Sequence, residues 1–519
     1  MDESTAAGDG NAELAVVYKG SGADDTWKLT GNNTNVGGFT VQSGTLVLEG
    51  SNVHHVNSYD AHDWNFASIE DSDVTVKNGA AFRLSHHAQL VGDVIVEDGG
   101  SFIMNQAVNA DVESISGSAK IDMVGREMTS LVGDVKLYGN SSTMTADIQS
   151  SAITRIDGSI TVEGNKGNAE PTTQFVKNGN GILTVTGNVN VPLGEVNAGG
   201  LVIENANPTN WVQWTIGQEG FLAAVGANHE TVLNNYISGD SSGVFALTYD
   251  QTSALELSDK QNLYIGAWGE VHYGTADAEL AANDAGNWLL GGGTGTLIVD
   301  FILAGNNDLI VGNEFSSGTV HLTNTQNDIK DIYINGTGNK LTYEEGALGG
   351  ATISLSYGNA LGLYDASMLG IVNKQSSGVL ALSSSAELDM TGRTLSLGAL
   401  GDVTYQGIIS LGENEAYRFG GCGNLTVDTE LTASGKMLID GQGTDGSSVT
   451  LARENAFAGD IVVGGGLELQ SANSQGNIAL HAGHASALAA AHSIDLQKGA
   501  GLYTDGQSLM VQNLSAKSG

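Results

Sequence analysis

The densest group of side chains able to do chemistry is a histidine and carboxylate cluster near the N-terminus. Its members are His54, His55, Asp60, His62, Asp63 and Trp64. Histidine and carboxylate groups are zinc ligands, and a tryptophan ring can stack on a sugar. However, the spacing matches no zinc motif, and the sequence HExxH is absent. We interpret the cluster as a solvated polar loop with ligand contact as the alternative, and we predict no metal site and no cofactor.

A second histidine pair, His86 and His87, follows an alternating stretch that contains Phe82 and Leu84. Alternation of this kind is typical of a β-strand with one buried face. One imidazole ring should therefore face solvent and the other should face the strand's packed side. We interpret this pair as structural.

Paired carboxylates, about 5 to 9 Å apart across a groove, are what a glycosidase would need. Asp71 with Asp73 and Asp240 with Asp250 are such pairs, but chance pairs are expected among 58 acidic residues. A polysaccharide lyase gathers basic residues around its acidic sugar, and here only 20 Lys and Arg are spread over the chain. We therefore predict no enzyme. A carbohydrate-active enzyme, either a lyase or a glycosidase, is the alternative.

Three further motifs carry little chemical information. Residues 291–295 (GGGTG) lack the GK[ST] ending of a phosphate loop and lead into a strand, so no helix N-terminus is offered to an anion. Residues 306–313 (NNDLIVGN) resemble one calcium-binding nonapeptide, but such a site needs consecutive turns. Cys422 has no second cysteine to pair with, which predicts a small buried apolar role.

Composition excludes several classes of protein. The net charge of −38 argues against nucleic-acid binding, which depends on clustered Lys and Arg. The 73 glycines show no three-residue period and only 3 prolines accompany them, which excludes collagen. The sequence has no run of 18 apolar residues, so we predict no transmembrane segment. The first four residues lack the basic and apolar regions of a signal peptide.

Short apolar runs that alternate with polar residues recur between Gly, Asn, Asp and Ser, which predicts β-strands. The strand-like runs are 45–48, 74–76, 94–96, 135–137, 160–162, 183–185 and 201–203. Asp-Val pairs open strands at Asp73, Asp93, Asp111 and Asp134. Their nearly constant step of about 20 residues suits one coil of a solenoid. An antiparallel sandwich or a set of barrels is the alternative.

A longer repeat favours the solenoid. Four segments return later in the chain at a nearly constant offset, and the shared residues are turn formers and strand interiors. They are 243–247 (GVFAL) as 378–382 (GVLAL), 266–274 (GAWGEVHYG) as 398–406 (GALGDVTYQ), 290–299 (LGGGTGTLIV) as 419–427 (FGGCGNLTV), and 318–322 (GTVHL) as 447–451 (SSVTL). Two copies of a unit this long fit an elongated stack of coils better than a closed barrel.

Three segments resemble the autotransporter-associated strand repeat of secreted passenger domains. The best match is 176–188 (VKNGNGILTVTGN) followed by 199–203 (GGLVI). A second is 27–34 (WKLTGNNT) followed by 44–48 (GTLVL), and a third joins 449–451, 455–459 and 465–469. The resemblance implies a right-handed parallel β-helix, secretion by a Gram-negative bacterium and an extracellular or outer-membrane location. The alternating strands of a translocator barrel are absent, so we expect an excised passenger fragment or a freely secreted relative.

We predict four regions from these patterns. Residues 1–55 form an N-terminal repeat and cap, and 56–240 form coils with a short helix at 229–237. Residues 241–375 are the first copy of the long repeat, and 376–519 are the second copy with truncated coils. A second short helix is expected at 487–491 (ALAAA), because Ala and Leu favour helix.

The predicted function is an adhesin or rigid stalk on an all-β parallel β-helix. The expected partners are a host glycan, a mucin or a second copy of the chain. Binding would be multivalent, through weak contacts along a repetitive face. The tryptophans Trp64, Trp211 and Trp268 are the aromatic residues we select for sugar contact.

Overall fold

The chain divides into two units, Met1–Ser241 and Ser242–Gly519. The computed structural model describes residues 173–516 apart from 386, 443–446 and 465–477. Before residue 173 it describes strands, with short segments beside them, between residues 15 and 163. Among the described residues, no helix has the length and apolar character needed to cross a membrane.

The described part of unit 1 consists of short strands and one helix. The elements are β1 Val16–Lys19, β2 Thr26–Leu29, β3 Asn32–Asn33, β4 Phe39–Glu49, β5 Ser51–Asn52, β6 Trp64–Asn65, β7 Ala67–Ile69, β8 Val74–Val76, β9 Ala80–Ser85, β10 Ala88–Leu90, β11 Gly92–Val96, β12 Ser101–Asn105, β13 Asn109–Ala110, β14 Val112–Gly117, β15 Lys120–Met123, β16 Ser130–Val132, β17 Asp134–Tyr138, β18 Thr143–Ile148, β19 Ile153–Asp157, β20 Ile160–Glu163, β21 Gln174–Asn178, β22 Ile182–Val185, β23 Val189–Asn190, β24 Leu193–Ile203, β25 Gln213–Ala224 and α1 His229–Tyr236.

The sheets of unit 1 are parallel, as a solenoid requires. One sheet has 11 strands, with β4, β8, β11, β14, β17, β20 and β23 in sequence order along it. A second runs β13–β16–β19–β22–β24–β25. Among the described strands, only β5 and β6 pair antiparallel. Each strand of the parallel sheets therefore bonds to the strand one coil away, which confirms the predicted all-β parallel β-helix.

The coil step in unit 1 is more even than the Asp-Val pairs indicate. Val74 pairs with Val94, Val94 with Ile115, and Ile115 with Val135. Strand β14 does begin at Val112, directly after Asp111 as predicted, but the residue that pairs with Asp93 is Ser114. A register shift between Gly92 and Asp93 skips one residue, Glu113, as in a β-bulge, and moves the later pairs by one position.

Helix α1 confirms the helix predicted at 229–237. Asn228 caps it, because its side-chain oxygen accepts a hydrogen bond from Thr231 N at 2.8 Å. Val232 and Leu233 are buried, as the apolar spacing predicts. The helix ends at Tyr236, since Ile237 takes extended backbone and bridges to Trp214.

Unit 2 continues with short strands and two 3-10 helices. The strands are β26 Val244–Leu247, β27 Tyr264–Ala267, β28 Glu270–Tyr273, β29 Asn287–Leu290, β30 Thr296–Val299, β31 Asn307–Val311, β32 Gly318–Leu322, β33 Ile329–Ile334, β34 Asn339–Tyr343, β35 Thr352–Leu355, β36 Ala360–Leu363, β37 Val379–Leu382, β38 Ser396–Ala399, β39 Gly401–Tyr405, β40 Ala416–Phe419, β41 Gly423–Val427, β42 Lys436–Ile439, β43 Ser447–Leu451, β44 Asp460–Val463, β45 Ile478–Ala482, β46 Ser493–Leu496, β47 Ala500–Tyr503 and β48 Leu514–Ala516. The 3-10 helices are Ala366–Ile371 and Glu413–Glu415.

Three parallel sheets organise unit 2. They run β26–β27–β29–β31–β33–β35, then β28–β30–β32–β34–β36–β37–β38–β40–β42–β44–β46–β48, and finally β39–β41–β43–β45–β47. Inward side chains form aliphatic ladders such as Leu309, Ile332 and Ile353, which pair in register and are fully buried. Each such side chain contributes about 1.5–3 kcal/mol through burial, so the solenoid interior is the core.

The two segments of the long repeat build the same corner. Gly266 on β27 faces the carbonyl oxygen of Gly292, and Gly398 on β38 faces that of Gly421. Both carbonyl-bearing glycines have positive φ, 88° and 81°, a backbone region that favours glycine. The corner is thus repeated in three dimensions as well as in sequence. The three domain boundaries, after residues 55, 240 and 375, stay predictions.

The second expected helix, at 487–491, was wrong. These residues form turns, in which Ala487 N donates to His484 O and Ala491 N to Leu488 O. Ala487, Leu488 and Ala491 are all buried. Packing against the core therefore overrides the helix propensity of Ala and Leu.

Candidate functional site

The histidine and carboxylate cluster predicted near the N-terminus falls largely outside the described residues. This applies to His54, His55, Asp60, His62 and Asp63, and also to the pair His86 and His87. Of Trp64 only the backbone is described, opposite Asn52 in the β5–β6 pair. The interpretation of this cluster as a solvated polar loop, with ligand contact as the alternative, stays a prediction.

The carboxylate pairs considered for glycoside hydrolysis gain no support from the described structure. Asp71 lies outside the described residues. Asp240 and Asp250 belong to different units. Asp250 accepts a hydrogen bond from the backbone N–H of His272 at 2.9 Å. In the described part of the chain, no group of three or more His, Cys, Asp or Glu could hold a metal ion.

One carboxylate in unit 2 instead ties neighbouring coils together. Asp300 lies 2.8 Å from the Nδ1 atom of His272 and accepts a hydrogen bond from Thr323 Oγ1 at 2.7 Å. This contact raises the pKa of His272, mainly through the hydrogen bond to Asp300. These contacts join side chains of successive coils, so we assign them a structural role.

Asp428 holds the equivalent position in the second copy of the repeat. It accepts hydrogen bonds from Gln406 Nε2 at 2.7 Å and Arg453 Nε at 2.5 Å. The bond from Arg453 lowers the pKa of Asp428 most, followed by the bond from Gln406. The same carboxylate position is therefore used in both copies with different partners.

Trp211 was selected from the sequence for sugar contact, and the structure contradicts that choice. Its side chain is only 4% exposed, its ring stacks on Trp214 with centroids 4.4 Å apart, and its Nε1 donates to Val189 O. Trp268, which was also selected from the sequence for sugar contact, is half-buried. Trp211 is part of the core of unit 1, because two large apolar rings gain most by stacking away from water.

A polar concavity lies on the outer face of β41, β43, β45 and β47 in unit 2. We name it the outer groove; its volume is about 710 Å³. Its floor is a row of four residues paired in register: Asn424, Ser448, Ala479 and Gly501. Because side chains two residues apart share a face of a strand, a second row stands beside this floor. That row consists of Thr426, Thr450, His481 and Tyr503.

The wall of the outer groove is an aromatic stack. The rings of His481 and Tyr503 lie 4.8 Å apart at an angle of 12°. Tyr503 is 53% exposed, and its ring leans over Gly501, where an added Cβ would lie 2.7 Å from Tyr503 Cε2. A flat apolar surface is thus held beside a floor of small residues.

Hydrogen bonds fix the polar groups of the groove. Ser448 Oγ donates to Asn424 Oδ1 at 2.8 Å, and Asn424 Nδ2 donates to Asp402 Oδ1 at 2.7 Å. His481 Nδ1 lies 2.9 Å from Asp505 Oδ1. Ser448 pairs with Ala479 and not with His481, so the hydroxyl and the imidazole stand in different rows. The arrangement offers stacking and hydrogen bonding to a ligand.

Sequence reasoning missed the outer groove. His481 and Tyr503 lie on strands of successive coils, and neither belongs to a motif. The available signal was the alternation that they share, with a small residue two positions before each ring, at Ala479 and Gly501. That signal becomes visible only when the coil step is known for this part of the chain.

The single cysteine behaves as the sequence predicts. Cys422 is 9% exposed and packs in a cluster with Ala360, Val379, Ala381 and Leu400. Burial raises the pKa of its thiol, although Lys340 acts in the opposite direction.

We expect Cys422 in the native chain to react with a disulfide reagent at pH 8 at least about tenfold more slowly than in guanidinium chloride, because the thiolate is the attacking species. A stopped-flow absorbance assay of thiol release measures both rates. Equal rates in the two conditions would contradict the buried placement.

Comparison with family models, curated proteins and solved structures found no match to this chain.

Proposed function

We propose that this chain is a β-helical passenger domain that acts as an adhesin on a rigid stalk and binds glycans through the outer groove. The observation that carries the proposal is the stack of Tyr503 on His481 beside the polar floor formed by Asn424 and Ser448. The parallel solenoid is compatible with a stalk or adhesin role. The resemblance of 176–188 to the passenger-domain repeat supports a secreted or outer-membrane location.

The groove suits a sugar for physical reasons. The apolar face of a pyranose ring can lie on the exposed ring of Tyr503, which is amphipathic and loses little entropy on binding. The amide of Asn424 and the hydroxyl of Ser448 lie on neighbouring strands of the floor and can exchange hydrogen bonds with sugar hydroxyls. Specificity in such sites comes from a few fixed polar groups.

The negative charge of the chain and of the groove favours neutral glycans over anionic ones. The chain carries a net charge of −38, and Asp505 stands beside His481 at the groove. Sulfated and other anionic glycans would be repelled. We therefore propose neutral host glycans or neutral stretches of mucin as the ligand, bound weakly at each site and strengthened when many chains are displayed together.

The substitution Tyr503→Ala tests this proposal. We expect it to weaken retention on an array of neutral glycans and mucins by about tenfold, which corresponds to about 1.4 kcal/mol. The matched control is Tyr249→Ala, since Tyr249 is a 40% exposed tyrosine in the same unit but outside the groove. The control should bind like the original chain.

Three results would contradict the proposal. Equal loss in both variants would show that the groove is not the site. Retention of neither neutral glycans nor mucins by the original chain would contradict the adhesin. Release of cleaved sugar from the array would instead identify an enzyme. Circular dichroism of both variants confirms that the fold is kept.

A further inference from the structure

A second concavity in unit 2, here called the side pocket, has a different chemical character. It has a volume of about 340 Å³ and lies between loop 254–261 and loop 280–287. Its deep walls are apolar and buried, formed by Leu255, Leu263, Leu280, Trp288 and the ring of Tyr273. A volume of this size holds one or two small rings or a branched aliphatic group.

Hydrogen bonds hold the walls in place. Leu255 N donates to the hydroxyl oxygen of Tyr273 at 3.1 Å, and Trp288 Nε1 donates to Leu280 O at 2.8 Å. Both rings are thereby oriented by backbone groups of the two loops. Burial raises the pKa of Tyr273 to about 12, so its phenol is neutral at physiological pH.

A side-chain amide joins the two loops across the mouth of the pocket. Gln261 Oε1 accepts a hydrogen bond from Asp284 N at 2.6 Å, and Asn283 Nδ2 donates to Gln261 O at 2.9 Å. The mouth is therefore pre-formed. Binding at a pre-formed pocket loses little free energy to loop ordering.

The charge at the mouth is negative. Lys260 is the basic residue in the lining, and its Nζ is held by both carboxylate oxygens of Asp259 at 2.7 and 2.8 Å. The positive charge of Lys260 and the negative charge of Asp259 therefore cancel. Glu256 and Asp284 remain, and both are exposed at the rim. Hydrogen bonds from Ser258 lower the pKa of Glu256, so this carboxylate stays ionised at neutral pH.

We propose that the side pocket binds a small organic cation, an amine whose aromatic or branched aliphatic body fills the apolar pocket while its ammonium group faces Glu256 and Asp284. Aromatic rings and carboxylates both attract a cation. The acidic rim disfavours a fatty acid or any other anion of the same shape.

Matched ligands test the proposal in the full chain. Phenylethylammonium should bind at least about tenfold more tightly than phenylpropionate, which has the same ring and the opposite charge, by isothermal titration calorimetry at low salt. A tripeptide, Lys-Phe-Lys, presents the same chemistry on a peptide. Tighter binding of the tripeptide than of the free amine would overturn the small-molecule assignment.

Substitutions distinguish the contribution of the rim charges to binding from that of the cavity. Glu256→Gln and Asp284→Asn are each expected to weaken phenylethylammonium binding about two- to fivefold, because they remove one rim charge and keep the shape. Glu270→Gln, an exposed acid of unit 2 that is not in the pocket lining, should leave binding unchanged. Ala282→Trp should abolish binding, since Ala282 lines the pocket and the larger ring occupies the cavity.

Two results would overturn the proposal: equal binding of the cation and the anion, or no binding of phenylethylammonium at millimolar concentration. The test is independent of the glycan proposal, because Tyr503→Ala leaves the side pocket intact.

Discussion

Replacing Gly398 with Ala is expected to destabilise unit 2 by about 3 kcal/mol, the upper end of the cost of overpacking a core. An added Cβ would overlap the carbonyl oxygen of Gly421 and lie 2.7 Å from Cγ1 of Val379. The oxygen belongs to backbone in the next coil, so it cannot move aside as a flexible side chain would. Gly398 does not have positive φ, so the cost is steric overlap.

Gly266 is the equivalent position in the first copy of the long repeat, so its substitution tests the same steric explanation independently. Its added Cβ would overlap the carbonyl oxygen of Gly292 and lie 2.6 Å from Cγ1 of Val244. Gly266→Ala should therefore cost a similar amount. Urea unfolding followed by circular dichroism, together with hydrogen exchange of the corner amides, measures both variants.

The matched control is Gly370→Ala. Gly370 lies in the 3-10 helix Ala366–Ile371, no heavy atom beyond its chain neighbours and its own helix backbone lies within 4 Å of an added Cβ, and its φ is not positive. We expect this change to be neutral or to stabilise by up to about 1 kcal/mol, because alanine restricts the unfolded chain. A loss at Gly370 as large as at Gly398 would contradict the steric explanation.

Alignment of the two copies of the long repeat identifies these glycines, but it does not give the physical reason why glycine is required. The long repeat aligns Gly266 with Gly398, which indicates that the position matters. What requires glycine there is a carbonyl oxygen in the following coil, at Gly292 and at Gly421. Because the requirement for glycine comes from backbone in the following coil, the residues next to Gly266 and Gly398 in the sequence do not reveal it.

Strand positions were predictable because alternation and turn residues are local. Residues 45–48, 74–76 and 183–185 all lie in strands. Helix α1 was predictable for the same reason, since Asn228 and the spacing of Val232 and Leu233 are local signals. The turns at 487–491 were not, because burial of their apolar side chains decided the outcome.

The binding surfaces were less predictable than the fold. The outer groove joins residues from four coils, and the side pocket joins two successive loops. Sequence patterns single out dense clusters such as 54–64, whereas a solenoid assembles its surfaces from positions one coil apart. Trp211 shows the converse error, since a conspicuous aromatic residue proved to be core.

Lys177 lies in segment 176–188, which resembles the passenger-domain repeat, and its contacts indicate what a lysine at this position does physically. Its side chain is fully buried, and its Nζ donates to Asn178 O and Gly179 O at 2.8 Å and to Ala198 O at 2.9 Å. An ammonium group has three protons to donate, so these three acceptors account for all of them. The lysine joins the glycine-rich corner of one coil to β24 in the next.

Lys177→Met is therefore expected to destabilise unit 1 by about 3 kcal/mol, since three carbonyls lose a charged donor while the apolar stem is kept. The control is Lys28→Met on β2 of the same unit. Lys28 is 49% exposed and forms a surface ion pair with Glu49 at 2.8 Å. That change should cost less than about 1 kcal/mol.

Hydrogen exchange measured by mass spectrometry in the full chain distinguishes the two lysines. Amides in β21, β22 and β24 should lose protection in Lys177→Met, because local opening no longer breaks three bonds to the ammonium group. Amides in β2 and β4 should keep their protection in Lys28→Met. Equal effects would mean that the ammonium of Lys177 contributes no more than a surface charge, and the motif would then act through its glycines alone.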